Sequence, residues 1–267
     1  MYSKERYLLS RGNKNKDQNN YEKAIEYYNR AIELNPNEET YTDKGYALDE
    51  LERYEEAIAC YDIAIALKPI DIDAAYTRKG YSLDMLERYE EAIVCYDIAI
   101  GINNKNDIAY NNKGYALTCI GKYEESICCF NVAIELNSNN INAYIFKGNA
   151  LDMLERYEDA MSCYDEAIKK DSLYALAYND KGYALYLLGR FEDGIKCYDK
   201  AIELDSSYAE AYYNMAVLYI AVDKIDDSIT FLKKAIELNK EYKVYAKKES
   251  YFKSIRNLST FLDVLEN

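Results

Sequence analysis

The sequence predicts an all-α fold made of stacked helix–turn–helix repeats, and three observations carry that prediction. Apolar residues return every three or four positions, as at Tyr110, Gly114 and Leu117, which is helical periodicity. A short turn sequence such as ERY or GKY divides each helical stretch into two. A small residue recurs about every 34 positions, a period typical of helical solenoids whose repeats contact only their neighbours: Gly12, Gly45, Gly80, Gly114, Gly148, Gly182 and Ala216.

The offsets inside each repeat fit close packing of two helices. Position twelve after the small residue is again small, as Ser126 is after Gly114, so that two helix backbones can approach closely. Position sixteen is large, for example Phe130, and position nineteen is alanine in all seven repeats. Paired acids such as Glu55 and Glu56 follow the turn in repeats two to six. We interpret them as residues of a first helical turn, where acids stabilise the helix by interacting with its dipole, rather than as catalytic carboxylates.

At these positions the chain resembles the tetratricopeptide repeat family. The family motif has the same period, and the second repeat meets it at Tyr41, Gly45, Ala57, Tyr61 and Pro69. The sequence departs from the motif in having no tryptophan, in carrying lysine before the glycine in five repeats, and in keeping few of the closing prolines. The resemblance covers about residues 5 to 240 and implies a right-handed superhelical solenoid.

The ends of the repeat array differ from its middle. Residues 1–38 form an atypical first repeat with a polar string, NKNKDQNN, which we interpret as a cap. Residues 39–242 hold six further repeats. Residues 243–267 carry apolar residues at helical spacing, among them Phe252, Ile255 and Phe261, and are predicted to close the last repeat. A self-association surface in this C-terminal segment is the alternative.

Composition and motifs argue against most kinds of chemistry. The chain has no histidine, no phosphate-binding glycine motif and no room for a further domain, so we expect no enzyme activity, no cofactor and no metal site. Five of the seven cysteines recur at one offset, too far apart for disulfides, and are predicted to be packing residues. Free thiols, and the lack of a signal peptide or membrane span, predict a cytoplasmic protein. A net charge of -14 disfavours nucleic acid.

The resemblance also implies that the first helices line a concave groove that binds segments of other proteins. The candidate groove residues border the packing positions of these helices: Tyr46, Asp49, Arg78, Tyr81, Asp84, Asn112, Tyr115, Phe146, Asn149, Asp152, Tyr183 and Asn214. Tyrosines and aspartates favour an apolar or aromatic segment that carries lysine or arginine. A subset of the family binds chaperone C-termini through a clamp, but Leu9, Asp43 and Ala74 occupy three of its positions, which disfavours that ligand.

The predicted function is therefore a protein-interaction scaffold that holds a partner segment in the groove. The alternative is a structural helical-repeat protein that associates with itself, weakly, through the C-terminal segment and has no peptide ligand. The first predicts groove-dependent binding, whereas only the second requires an oligomer that depends on concentration.

Overall fold

A computed structural model of the chain describes residues 4–67 and 72–266, which fold into helices and turns without a β-strand. The chain divides into two compact units, residues 1–138 and residues 139–267. The described part confirms the all-α fold and the two-helix repeat. Pro69, one of the motif positions of the second repeat, lies outside the described residues.

The N-terminal unit contains four helix pairs. In each pair the first helix packs on the second, and the second helices of the first three pairs pack on the first helix of the next pair. The first helices of the second, third and fourth pairs also contact one another in succession. The helices are α1 (Lys4–Lys16), α2 (Tyr21–Leu34), α3 (Glu38–Asp49), α4 (Tyr54–Ala66), α5 (Ile72–Met85), α6 (Tyr89–Ile102), α7 (Asp107–Cys119) and α8 (Tyr123–Leu136).

The C-terminal unit contains three further pairs and a closing segment that includes a short 3₁₀ helix, Ser250–Phe252. Phe252, Ile255 and Phe261 are buried in one cluster with Val217 and Leu232, so the closing segment covers both helices of the last pair. The helices are α9 (Ile141–Met153), α10 (Tyr157–Lys170), α11 (Ala175–Leu187), α12 (Phe191–Leu204), α13 (Ala209–Ala221), α14 (Ile225–Leu238), α15 (Glu241–Lys248) and α16 (Ser259–Glu266).

The turn inside each pair ends the first helix in a recurrent way. The N–H of Arg53 donates to the carbonyl of Leu48 over 2.9 Å, the pattern of a Schellman C-cap. That cap needs one residue with positive φ, and Glu52 supplies it at 58°. Gly121 and Gly189 hold the same place in the turns GKY and GRF, at 77° and 70°. The acid pair that follows, Glu55 and Glu56 in the second repeat, lies in the first turn of the next helix as predicted.

The recurring glycine lets the first helix touch an aromatic ring of the second. A Cβ atom placed on Gly114 would lie 2.6 Å from Cε1 of Phe130, far inside van der Waals contact. The same relation joins Gly80 to Tyr96 and Gly148 to Tyr164. The large residue at position sixteen therefore packs directly on the glycine of the first helix.

The lysines that precede the glycines have a structural role. Lys79 of the third repeat reaches back to Asp62 of the second over 2.6 Å, and Lys113 reaches Asp97 in the same way. Each pair links a first helix to the second helix of the preceding repeat. Because these carboxylates are half exposed, each link contributes at most about 1 kcal/mol. Such links account for the lysine in three of the five repeats that carry it, through Lys79, Lys113 and Lys181.

Candidate functional site

In the N-terminal unit, the first helices α3, α5 and α7 share a face that carries most of the predicted groove residues. Tyr46, Tyr81 and Tyr115 follow the packing glycines on this face, and Tyr81 is 42% exposed. A cleft of about 320 Å³ opens there. It is lined by Tyr46, Asp49, Glu50, Ala74, Thr77, Arg78, Tyr81, Asn106, Ile108 and Asn112.

The cleft combines aromatic faces with a few charged groups. The guanidinium carbon of Arg78 lies 4.9 Å from the ring centroid of Tyr46, a cation–π contact, and Lys16 lies 5.8 Å from the same ring. Glu50 is exposed at the edge of the cleft, and burial together with the Glu50 carboxylate raises the pKa of Tyr46 to about 12. At neutral pH the phenol of Tyr46 is therefore protonated and uncharged, and it can donate a hydrogen bond.

Two of the predicted groove aspartates are buried: Asp49 borders the cleft with little exposure, and Asp84 does not line it. Asp84 is only 4% exposed, and its Oδ2 accepts a 2.5 Å hydrogen bond from the hydroxyl of Tyr96. Asp49 accepts from Tyr61 over 2.6 Å and, with its other oxygen, from Ser82. Burial raises the pKa of Asp84 to about 7, because desolvation outweighs the tyrosine hydrogen bond. These carboxylates join helices; the exposed carboxylate of the cleft is Glu50.

The C-terminal unit carries the remaining predicted residues on its own first helices. Asp152 accepts from the hydroxyl of Tyr164 over 2.6 Å, and burial raises the pKa of Asp152 to about 6. In the amide orientation that satisfies its neighbours, Asn149 donates to the same hydroxyl over 2.7 Å and to Asp180 over 3.2 Å. Asp180, on the next first helix, has its pKa raised by burial to about 7.

The rest of this face is aromatic and amide-rich. Asn214 donates to Asn179 over 3.0 Å, and Phe146 is half-buried. Tyr183 stacks beside Tyr186 with ring centroids 6.4 Å apart, and Tyr251 of the closing segment meets Tyr186 edge-on at 6.4 Å. In this unit the closing segment therefore supplies an aromatic residue to the first-helix face.

The buried tyrosine–aspartate pairs were not predicted, yet the sequence contains a signal for them. Repeats two, three and five have tyrosine at position sixteen after the glycine and aspartate at position four. Repeat four has lost both partners together, with Phe130 and Thr118 in their places. Repeats one and six keep the tyrosine, Tyr28 and Tyr198, without an aspartate at position four, so the signal covers only repeats two to five.

The described residues contain neither a metal-binding set nor a membrane-spanning helix. No group of three or more cysteine, aspartate or glutamate side chains in residues 4–67 and 72–266 could hold a metal ion. All seven cysteines are free. Cys60, Cys95, Cys129 and Cys163 are buried at the recurring offset, and Cys197 is half-buried, as predicted for packing residues. Within the described ranges no helix is long and apolar enough to cross a membrane.

Comparison with known families finds one kind of repeat along most of the chain. Descriptions of the tetratricopeptide repeat match residues 6–38, 38–71, 73–106, 108–140, 141–171 and 209–242, and a further repeat description matches residues 182–223. The chain belongs to the tetratricopeptide repeat family. It is 39% identical over 66 residues to an uncharacterized protein, MJ0572, of Methanocaldococcus jannaschii. That match covers 24% of this chain and 77% of the relative.

Solved tetratricopeptide repeat proteins share the fold. A protein from Parabacteroides merdae superimposes with a TM-score of 0.73 at 15% identity, over 98% of this chain and 99% of its own. YrrB, described as a TPR protein with an unusual peptide-binding site, superimposes with a TM-score of 0.53 at 22% identity, over 71% of this chain and 98% of its own. The tetratricopeptide repeat is a scaffold for protein interaction, and the family matches support that general role here.

Proposed function

We propose that this protein is a non-enzymatic cytoplasmic adaptor that binds a segment of a partner protein on the first-helix face of its N-terminal unit. The observation that carries the proposal is the cleft between α3, α5 and α7, which places exposed Tyr81 and Ile108 beside the amide of Asn112. Peptide-binding sites combine apolar faces with a few hydrogen-bonding groups in this way. Free cysteines fit the reducing cytoplasm.

The chemistry of the cleft favours a segment with an aromatic or aliphatic side chain next to a lysine or arginine. The open face of Tyr81 and the carboxylate of Glu50 both attract a cation, the ring by about 0.5 to 1 kcal/mol at an exposed site. Asp49 and Asp84 act indirectly, since each carboxylate is buried against a tyrosine. The charge preference therefore rests on fewer groups than the number of aspartates in the sequence suggests.

A random short-peptide display library provides the probe for this proposal. Peptides selected on the full chain are labelled, and their binding is followed by fluorescence anisotropy. Replacing Tyr81 and Tyr115 by alanine removes two aromatic faces and is expected to weaken binding about tenfold. Replacing Glu158 and Asp159 by alanine, two exposed acids at the start of α10, is expected to leave affinity unchanged.

Selected peptides should be enriched in lysine or arginine next to an apolar residue, and their association should slow as salt screens the charges. Peptides that bind the double tyrosine variant as tightly as the unaltered protein would move the binding surface away from this face. A library that yields strongly acidic peptides would contradict the charge preference.

A further inference from the structure

The outer surface of the second helices differs along the chain: α4 and α6 are aliphatic there, whereas α2 carries Glu26 and Arg30. In the N-terminal unit, α4 and α6 expose large aliphatic side chains at a spacing of four residues, a single stripe on each helix. Val94 is 57% exposed and Ile102 is 49% exposed. We call these residues the outer stripe: Ile63, Leu67, Val94, Ile98 and Ile102.

The second helices of the C-terminal unit are mainly polar at the equivalent positions, apart from Leu204 and Leu238. Ser162, Glu166 and Lys170 of α10 correspond to Val94, Ile98 and Ile102 of α6. These positions occupy the same place in the repeat in both helices. Because α10 carries polar residues there, packing inside the repeat does not require aliphatic ones. Exposed apolar stripes that the fold does not need mark interaction surfaces.

The two helices that carry the outer stripe contain acidic residues but no basic residue. α4 contains Glu55, Glu56 and Asp62, and α6 contains Glu90, Glu91 and Asp97, whereas neither helix contains lysine or arginine. Neighbouring bases pair with four of these acids. Glu55 and Glu90 are exposed and form no ion pair with any described residue.

The closing segment of the chain has the complementary character. Within residues 240–256 the acids are Glu241 and Glu249, and the bases are Lys240, Lys243, Lys247, Lys248, Lys253 and Arg256. This excess of bases stands out in a chain of net charge -14. On α15, exposed Val244 and Tyr245 lie beside exposed Lys247 and Lys248. We call residues 240–256 the basic segment.

We propose that the outer stripe of one copy binds the basic segment of a second copy. Val244 and Tyr245 would cover the aliphatic stripe while Lys247 and Lys248 approach Glu55 and Glu90. Two outer stripes would bring acids against acids, so a stripe-to-stripe contact is disfavoured. Because the pairing surfaces are different, each copy can bind two neighbours, which gives rings or open chains instead of a closed two-fold dimer.

This self-association does not depend on the cleft, and it uses the protein itself as the probe. Static light scattering of the full chain, over rising protein concentration at low salt, should show the weight-average mass climbing above the 31.0 kDa of one chain. Added sodium chloride should lower it, because screening weakens the charge attraction. A mass that stays at 31.0 kDa at every concentration would overturn the proposal.

Two variants each remove one surface. The stripe variant, Val94→Ser with Ile98→Glu and Ile102→Lys, copies residues that α10 already carries, so the fold should survive. The segment variant is Val244→Ser with Lys247→Glu and Lys248→Glu. Each is expected to be monomeric alone, with an unchanged circular dichroism spectrum. Self-association of either variant at the level of the unaltered chain would contradict the pairing.

The two variants should complement each other when mixed. The stripe variant keeps an intact basic segment and the segment variant keeps an intact outer stripe, so the mixture should form one-to-one dimers and nothing larger. A mixture that remains monomeric would refute the proposal. Should the stripe variant fail to fold, Glu55→Lys with Glu90→Lys changes only exposed charges and must weaken self-association as well.

Discussion

The hydroxyl of Ser82 donates a hydrogen bond of 2.6 Å to Oδ1 of Asp49, and so joins the first helices of two neighbouring repeats. The equivalent oxygens of Asp84 and Asp152 are buried without any hydrogen-bond partner. The repeat register explains the difference, because alanines stand where Ser82 would recur, at Ala116 and Ala184. Each missing hydroxyl leaves a desolvated carboxylate oxygen unsatisfied, which is destabilising.

Restoring that hydroxyl should therefore stabilise the protein. Ala116→Ser is expected to raise the free energy of unfolding by about 1 kcal/mol, because the new hydroxyl would donate a hydrogen bond to the buried Oδ1 of Asp84. It should also lower the pKa of Asp84, because a hydrogen bond to the carboxylate favours its charged form. Urea unfolding at pH 8 measures the first effect.

Ala47→Ser provides the matched control. Ala47 is the equivalent buried residue of the second repeat, but the preceding repeat has Lys16 in place of the aspartate. The added hydroxyl should thus give no stabilisation there. Equal gains for both variants would mean that the hydroxyl acts through its own helix and not through Asp84.

The buried aspartates predict how stability depends on pH. The pKa of Asp84 rises from 3.8 to about 7 in the folded protein, so between these values the folded state binds more protons than the unfolded state. The contribution of Asp84 to the free energy of unfolding is greatest below pH 4 and is lost as pH rises through 7. Asp84→Asn should remove this loss. The free energy of unfolding of the variant, relative to that of the unaltered protein, should therefore increase from pH 5 to pH 8.

Urea midpoints across this pH range test the expectation. Asp97→Asn is the control, because Asp97 is exposed and paired with Lys113, and its variant should show a much smaller change in slope. A difference between Asp84→Asn and the unaltered protein that is constant with pH would show that Asp84 stays charged throughout.

The fold could be predicted from the sequence because its determinants are local and repeated. The glycine of one helix and the aromatic residue sixteen positions later meet within a single repeat, so one period contains both partners of the contact. The site was harder to predict. Asp49 and Asp84 fall at the edge of the packing positions, and whether they face solvent depends on a tyrosine hydroxyl from the second helix and, for Asp49, on Ser82 of the next repeat.

The outer stripe was also missed, for a different reason. Its residues have ordinary helical spacing, so the period alone does not separate Val94 and Ile98 from the core residues of α6. Their exposure in the folded unit distinguishes them from the core. Comparing each helix with α10, position by position, is the sequence signal that could have found them.

The cysteines should differ in reactivity according to burial. Cys119 and Cys128 are exposed, whereas burial raises the pKa of Cys129 to about 11 and also raises that of Cys95. Because the thiolate is the reactive form, an aromatic disulfide reagent at pH 8 should label two thiols of the folded protein quickly and the others only on unfolding. Cys128→Ser should remove one fast-reacting thiol, and an unchanged fast phase would show that Cys128 is protected.

The packing glycines should not tolerate even a methyl group. Gly114→Ala places a Cβ 2.6 Å from the ring of Phe130 and should destabilise the protein by about 1 to 3 kcal/mol through overpacking; Gly114→Leu should cost more. Gly101 near the end of α6 is the control, since an added Cβ there meets no atom within 4 Å. Gly101→Ala should stabilise the helix by about 0.5 to 1 kcal/mol. Thermal melts in which both glycines respond alike would refute the assigned contact.

The turn residues with positive φ offer a last prediction. Glu87 has a φ of 59°, a conformation that disfavours a side chain, while Gly121 holds the equivalent position in the next repeat at 77°. Glu87→Gly should raise the free energy of unfolding by about 0.5 to 1 kcal/mol, because relief of the strain outweighs the greater freedom of glycine in the unfolded chain. Gly121→Glu should lower it by a similar amount, and urea denaturation measures both. The two changes exchange glutamate and glycine in opposite directions at the same position of the repeat. A loss of stability in both variants would mean that the carboxylate of Glu87 stabilises its turn by more than the strain costs.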